Sequence, residues 1–338
     1  CNAVSQTLRQ EMAAMDAVVI GTAMQGDATR NKDSGEVLMG VEQVLKGDKL
    51  VSAEQEVKAI YYGDVTAGRR FLLSGVDPPA MQWSCLPLSR RAEKYVVDVT
   101  QLPDSELDRL RFYQNFLQDN ESMLARDAYD EFANAPYADV KTLAPKMHRD
   151  RLVAWIKDTE IPASRRRLYF TMLGVCGESK DAELLEGFMK SDDRKTKSGL
   201  DALIACYLIL KGEGGLVMVD DLFLKNDEAE YADTYAAIMA IRFHGTETDV
   251  IDRKRLVKSL RFMLERPELA DLVIPDLAKW QDWEIMPRLV QLFKDADEKS
   301  SWVRVPVINY LRACPLPKAK SYIDELNEID PDAVKRAK

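Results

Sequence analysis

The sequence predicts a mixed, mainly α chain. A small β module of short antiparallel strands occupies residues 1–99, and a linker follows at 100–103. Paired helices occupy 104–330, and a polar tail ends the chain at 331–338. Three observations carry this reading. Residues 1–99 hold several short β-branched or alternating runs separated by Gly, Asp and Pro turns. From Asp104 the apolar period switches to three to four residues and stays there. Leu200–Leu224 reads as helix, glycine turn, helix, with two apolar stripes that a lone pair cannot cover, so copies are needed on either side.

Taken in order, residues 2–16 read as a short amphipathic helix with Leu8, Met12 and Met15 on one side. Residues 17–23, AVVIGTA, form a β-branched run and a buried strand. Residues 35–45 alternate Val37, Met39 and Val41, the period-2 signature of a strand. Residues 55–62 and 70–75 are further strands, and 81–88 and 95–99 read as the last extended segments. Strands at this spacing suit a small barrel or a sandwich. Residues 104–118 place Leu107, Leu110 and Leu117 at helical steps. Residues 121–134 continue that pattern to Pro136.

Five helix pairs then follow, at 164–190, 200–224, 231–265, 269–294 and 302–327. Their second helices are anchored by Phe188, Phe223, Phe262, Phe293 and Leu326. These anchors lie 35, 39, 31 and 33 residues apart. The interval resembles that of HEAT-like helical repeats, although a standard unit is about 40 residues or more. The match lies in pattern, not in repeated words.

VEQVLKGD at 41–48 and GRRFLLSG at 68–75 carry a second resemblance. With DAVVIGTA before them and a cysteine segment after, they resemble the netrin/tissue-inhibitor-of-metalloproteinases module, an OB-like barrel, over residues 1–99. In that family the N-terminal cysteine is disulfide-linked to one near the later strands, so the resemblance pairs Cys1 with Cys85. It also implies an alternative function, protease inhibition through the barrel, with the amine and carbonyl of Cys1 chelating a protease's zinc. The chain departs from the inhibitors at Ala3, where they repeat a cysteine.

Hydrophobic residues make up 46% of the 338 and charged residues 30%, enough apolar surface for a sizeable core. A formal charge of −9 disfavours a phosphate-backbone partner, and no nucleic acid is expected. No run of wholly apolar residues reaches the ~18 of a membrane span, so no transmembrane segment is expected. A chain opening on Cys1 predicts export to the periplasm or outside the cell. Membrane association is expected only if Cys1 is lipidated, which would also block its pairing with Cys85. Cys176, Cys206 and Cys314 sit in apolar helical sequence as reduced core residues.

Catalytic signatures are few. The two histidines, His148 and His244, lie far apart in sequence, without HExxH, GxSxG or CxxC. His244 precedes Gly245, which reads as a helix end with a C-cap glycine. Gly212-Glu213-Gly214-Gly215 lacks the strand and the Lys-Ser/Thr of a phosphate loop and reads as a turn. Asp220-Asp221 reads as a solvated pair. No cofactor, metal or catalytic residue is assigned. The expected role is a non-catalytic scaffold whose helical-repeat surface binds another protein. Lys254, Lys258 and Arg261, on one helical face, and Trp283, an aromatic anchor, form the expected interaction surface.

Overall fold

The computed structural model describes residues 5–27 and 34–337. The chain divides into two compact units, 1–147 and 148–338. The expected linker at 100–103 therefore lies inside the first unit.

The first unit opens with α1 (Leu8–Ala14), started by a capping box between Thr7 and Gln10. Five strands follow: β1 (Ala17–Ala23), β2 (Glu36–Lys46), β3 (Glu56–Ile60), β4 (Arg70–Val76) and β5 (Gln82–Leu88). They close into a barrel in the order β1-β2-β3-β5-β4. All pairings are antiparallel except β3 with β5, where Ala59 faces Trp83 and Ile60 faces Ser84. Alternate residues point inward, including Val19, Val37, Met39, Val41, Phe71 and Leu73, as the period of two requires. Gly21 sits at a register shift in β1, and a Cβ there would lie 2.6 Å from Leu73 Cδ1. The glycine leaves room for Leu73 in the barrel.

Residues 95–99, expected from the sequence to be extended, are helical instead. They belong to α2 (Arg90–Thr100), capped by the Ser89 side chain on Ala92 N–H. Tyr95, Val96 and Val97 favour strands by propensity. Burying Ala92, Tyr95, Val96 and Val99 along one helical face outweighs that preference. Next come α3 (Glu106–Tyr113), α4 (Ser122–Asn134) and α5 (Tyr137–Thr142). Tyr95 lies amid the rings of Phe112, Tyr113 and Phe116, at 5.5, 6.3 and 4.7 Å.

The second unit begins with α6 (Arg149–Lys157) and continues as helix pairs. These are α7 (Ala163–Cys176) with α8 (Asp181–Met189), and α9 (Leu200–Lys211) with α10 (Leu216–Val219), which is prolonged by a π turn at Asp220–Leu224. Then come α11 (Tyr231–Glu247) with α12 (Arg253–Arg261), α13 (Ile274–Lys279) with α14 (Met286–Asp295), and α15 (Arg304–Ala313) with α16 (Pro317–Ile329). Polar ties join one pair to the next at nearly constant sequence separation. Arg167 meets Asp201 across 34 residues, Lys197 meets Asp233 across 36, Arg242 meets Asp276 across 34, and Arg255 meets Asp220 across 35.

By length and composition alone, Leu200–Leu224 could cross a membrane. Gly212, at φ 67° and ψ −157°, breaks it into separate helices after Lys211. The left-handed region is open to glycine at little cost, which explains the residue. Three other expectations change. Asp220 is buried and ion-paired to Arg255, and only Asp221 faces solvent. Gly245 is not a helix cap, because α11 runs on to Glu247. A Cβ on Gly245 would lie 2.2 Å from the Trp280 ring, so the glycine serves packing. The tail folds as α17 (Pro331–Arg336), started by Asp330 on Ala333 N–H and by Pro331. Arg312 holds its end through the Val334 and Ala337 carbonyls.

Candidate docking face

An apolar groove of the second unit lies over α9. Helices α7, α9 and α11 run parallel side by side: Arg167 meets Asp201 and Lys197 meets Asp233 near their starts, and Gly174 lies against Cys206 and Ile209 further on. From Ala202 to Leu210 α9 carries no charge. Ala202 and Ile209 are half-buried, and Ala205, though buried, lines the same groove. A surface helix ordinarily presents charged residues outward. A groove of 260 Å³ lies over these residues, between α7 and α11. Arg167 and Thr171 of α7 form one wall, and Met239, Ala240 and Phe243 of α11 the other.

The α11 wall continues as an exposed stripe. Tyr231, Tyr235 and Met239 stand at i, i+4 and i+8, with 57%, 38% and 37% of their surfaces accessible. The two tyrosine rings stack at 6.1 Å. Cys206 lines the groove, but burial pushes its thiol well above the ordinary value, so it is a poor nucleophile. The groove can seat aliphatic or aromatic side chains. Its only charges are Arg167 and Asp201 at one end, which pair with each other.

The surface expected from sequence is divided by the structure. Lys254 and Lys258 are exposed on α12, and neither joins an ion pair among the described residues. Arg261 is committed: its Nε donates to Asp282 at 2.8 Å and Nη2 reaches Glu284 at 3.2 Å. Trp283 packs edge-on against Tyr310 at 5.2 Å. The basic stripe and the tryptophan are thus half occupied by internal contacts.

His244 is fully buried, its Nε2 3.0 Å from the Ala205 carbonyl and its Nδ1 3.1 Å from Thr248 Oγ1. Burial lowers its pKa below the ordinary imidazole value, favouring the neutral ring that ties α11 to α9. His148 stands just before α6 and makes no side-chain cap bond. Cys1 lies outside the described residues, so the expected Cys1–Cys85 pairing does too. The Cys85 thiol donates to the Ile60 carbonyl at 3.3 Å, and burial pushes it up to about 11. Among the described residues, no three His, Cys, Asp or Glu side chains converge as metal ligands.

A buried polar cluster in the first unit was not anticipated. Asp127 and Glu131, one turn apart on α4, face inward. Asp127 accepts the Leu8 N–H and the Tyr95 hydroxyl, each at 2.6 Å, and Glu131 meets Arg9 at 3.3 Å. These bonds clasp the start of α1 to α4. Burial drives Asp127 up to about 6, against the opposing pull of its two donors. A carboxyl raised in the folded state favours folding below its ordinary value, and that contribution is lost as pH rises through 6. Asp127→Asn keeps the Leu8 bond and should flatten stability between pH 4 and 6 by about 2–3 kcal/mol relative to wild type. Urea midpoints across that range are the check. An unchanged slope would mean that Asp127 is not the raised group.

No family model matches the chain, and no curated protein or solved structure is significantly similar to it.

Sequence reasoning overlooked the groove because alanines on an apolar helix read simply as core. The usable signal was the absence of charge on α9 and the i, i+4 spacing of Tyr231, Tyr235 and Met239. Asp127 and Glu131 were equally legible as an acidic pair beside Leu124, Ala128 and Phe132.

Proposed function

We propose that the chain is a non-catalytic scaffold that binds another polypeptide through the α7–α9–α11 face of a HEAT-like helical-repeat unit. The first unit supplies an OB-like barrel, a reading supported by the strand order β1-β2-β3-β5-β4. The repeat reading is supported by the polar ties that recur at 34–36 residues. Side chains one repeat apart meet when successive units stack in the same way.

The observation that carries the binding role is the uncharged, groove-lining stretch of α9 beside an exposed aromatic and methionine stripe. Interface cores are enriched in Tyr and Met and depleted of charge. A groove floored by alanine admits side chains of a partner helix or strand and offers little to a phosphate backbone. The test is to fill the groove. Ala202→Arg should abolish retention of polypeptides that wild type captures in its native source, with its far-UV spectrum unchanged. Identical retention by a folded Ala202→Arg variant would reject the α9 groove as the binding surface.

A further inference from the structure

We infer that α1 is a strap able to leave α4 while the barrel stays folded, and that Asp127 is its catch. The catch holds when the Asp127 carboxyl is protonated and loosens when it ionises. The first support is the count of charges. Asp127 and Glu131 are both buried where α4 meets α1. The only cation in α1, Arg9, goes to Glu131 at 3.3 Å, and Arg126 on α4 pairs with Asp130 at 3.7 Å. Among the described residues Asp127 joins no ion pair. Its two partners, the Leu8 N–H and the Tyr95 hydroxyl of α2, are neutral donors. The other titratable groups around it are Tyr113 on α3 and Asp130 and Glu131 on its own helix, none of which adds positive charge. An ionised Asp127 is therefore a buried charge without a counter-ion. A protonated one accepts the Leu8 N–H through Oδ1 and can donate to the Tyr95 oxygen through Oδ2.

The second support is how α1 is attached. It has 7 residues, too few to persist as a helix once undocked. Besides Asp127, it is held by its two buried side chains, Leu8 and Met12, by Arg9, and by Lys46, whose ammonium bonds the Met12 and Ala13 carbonyls. Met15, just after it, is extended, and Asp16 is fixed to the barrel. The Asp16 N–H donates to the Gly75 carbonyl at 3.0 Å, and its Oδ2 accepts the Asp77 N–H at 3.1 Å. The chain before Met15 can therefore swing away without breaking a β1 pairing. Burial, which holds Asp127 at about 6, sets where the catch works. A carboxyl raised in the docked state favours docking below its ordinary value, and that contribution is lost as pH rises through 6. Acid conditions thus fasten the strap and neutral conditions loosen it.

The test is hydrogen–deuterium exchange of the full chain, read on peptides from α1, β1 and α4 and corrected for the intrinsic pH dependence of exchange. Between about pH 5 and 7.5, α1 should lose about 10-fold in protection while β1 and α4 keep theirs. Asp127→Asn should make the α1 profile flat. Tyr95→Phe, which takes a donor from the carboxylate, should move upward the pH at which α1 protection levels off. A flat wild-type profile in α1 would overturn the inference, as would an equal loss in α1, β1 and α4, which means global unfolding. So would a wild-type slope that persists in folded Asp127→Asn. If Asp127→Asn loses protection in β1 and is thus misfolded, Tyr95→Phe decides: an upward shift supports the catch, and an unchanged profile overturns it.

Discussion

Arg166→Met should cost the second unit about 3–5 kcal/mol, the largest loss expected from one substitution in this chain. Arg166 is fully buried, and among the described residues it has no carboxylate partner within ion-pair distance. Its Nη2 donates to the Ile156 and Thr196 carbonyls, each at 2.9 Å, and its Nη1 to Lys195. The guanidinium lies 5.5 Å from the centre of the Phe170 ring. One planar fork thus closes the end of α6 and fixes the loop that leads from α8 into α9. Removing it leaves carbonyls that water reaches poorly, and an unmet buried acceptor costs more than a bond contributes. Arg166→Lys should recover little, because an ammonium cannot span both segments. Urea denaturation measures both variants. A loss below ~1 kcal/mol for Arg166→Met would show that the loop is held by other contacts.

Arg255→Met should be nearly as damaging, about 3–5 kcal/mol near neutral pH, through the partner it leaves behind. Asp220 is 1% exposed, and its Oδ2 receives the Arg255 guanidinium at 2.8 Å. Among the described residues its Oδ1 has no hydrogen-bond partner, so the carboxylate depends on that single cation. Arg255 also donates to Ser259 at 2.6 Å, which fixes its approach. Asp220→Asn in the Arg255→Met background should therefore recover most of the loss, because the stranded charge is gone. A double-mutant cycle should give a coupling above ~1 kcal/mol between residues 35 apart in sequence. Additive losses would mean that the two pairs of helices are joined by apolar packing alone.

Much of the architecture was readable because it depends on periodicity. The alternation through Val37, Met39 and Val41 is satisfied only by a strand with one buried face. The spacing of Phe188, Phe223, Phe262 and Phe293 marks the second helices wherever their ends fall. Readings failed where tertiary contact overrode a local preference. Val96 and Val97 read as strand, yet Ser89 starts a helix and Tyr95 is drawn into a ring cluster. Gly245 read as a cap, because sequence does not reveal that Trp280 lies against it. Asp220 read as solvated, because its partner Arg255 lies 35 residues away in the next helix pair.

The proposed docking face was legible only in what α9 lacks. Charged residues drew attention to Lys254, Lys258 and Arg261, but Arg261 is consumed by Asp282 and Glu284. Charge here joins one helix pair to the next, as Arg167, Arg242 and Arg255 do. An uncharged, groove-lining stretch is the more informative sign of a partner.

If the α9 groove binds a partner, polypeptide covers it when the protein is at work. A photo-crosslinking amino acid placed at Met239, in the native source, would capture that polypeptide. Met239 should give a discrete cross-linked species, and the more exposed Val217, which lies outside the groove, should give none. Equal labelling at both positions, or no species from Met239, would contradict binding in the groove.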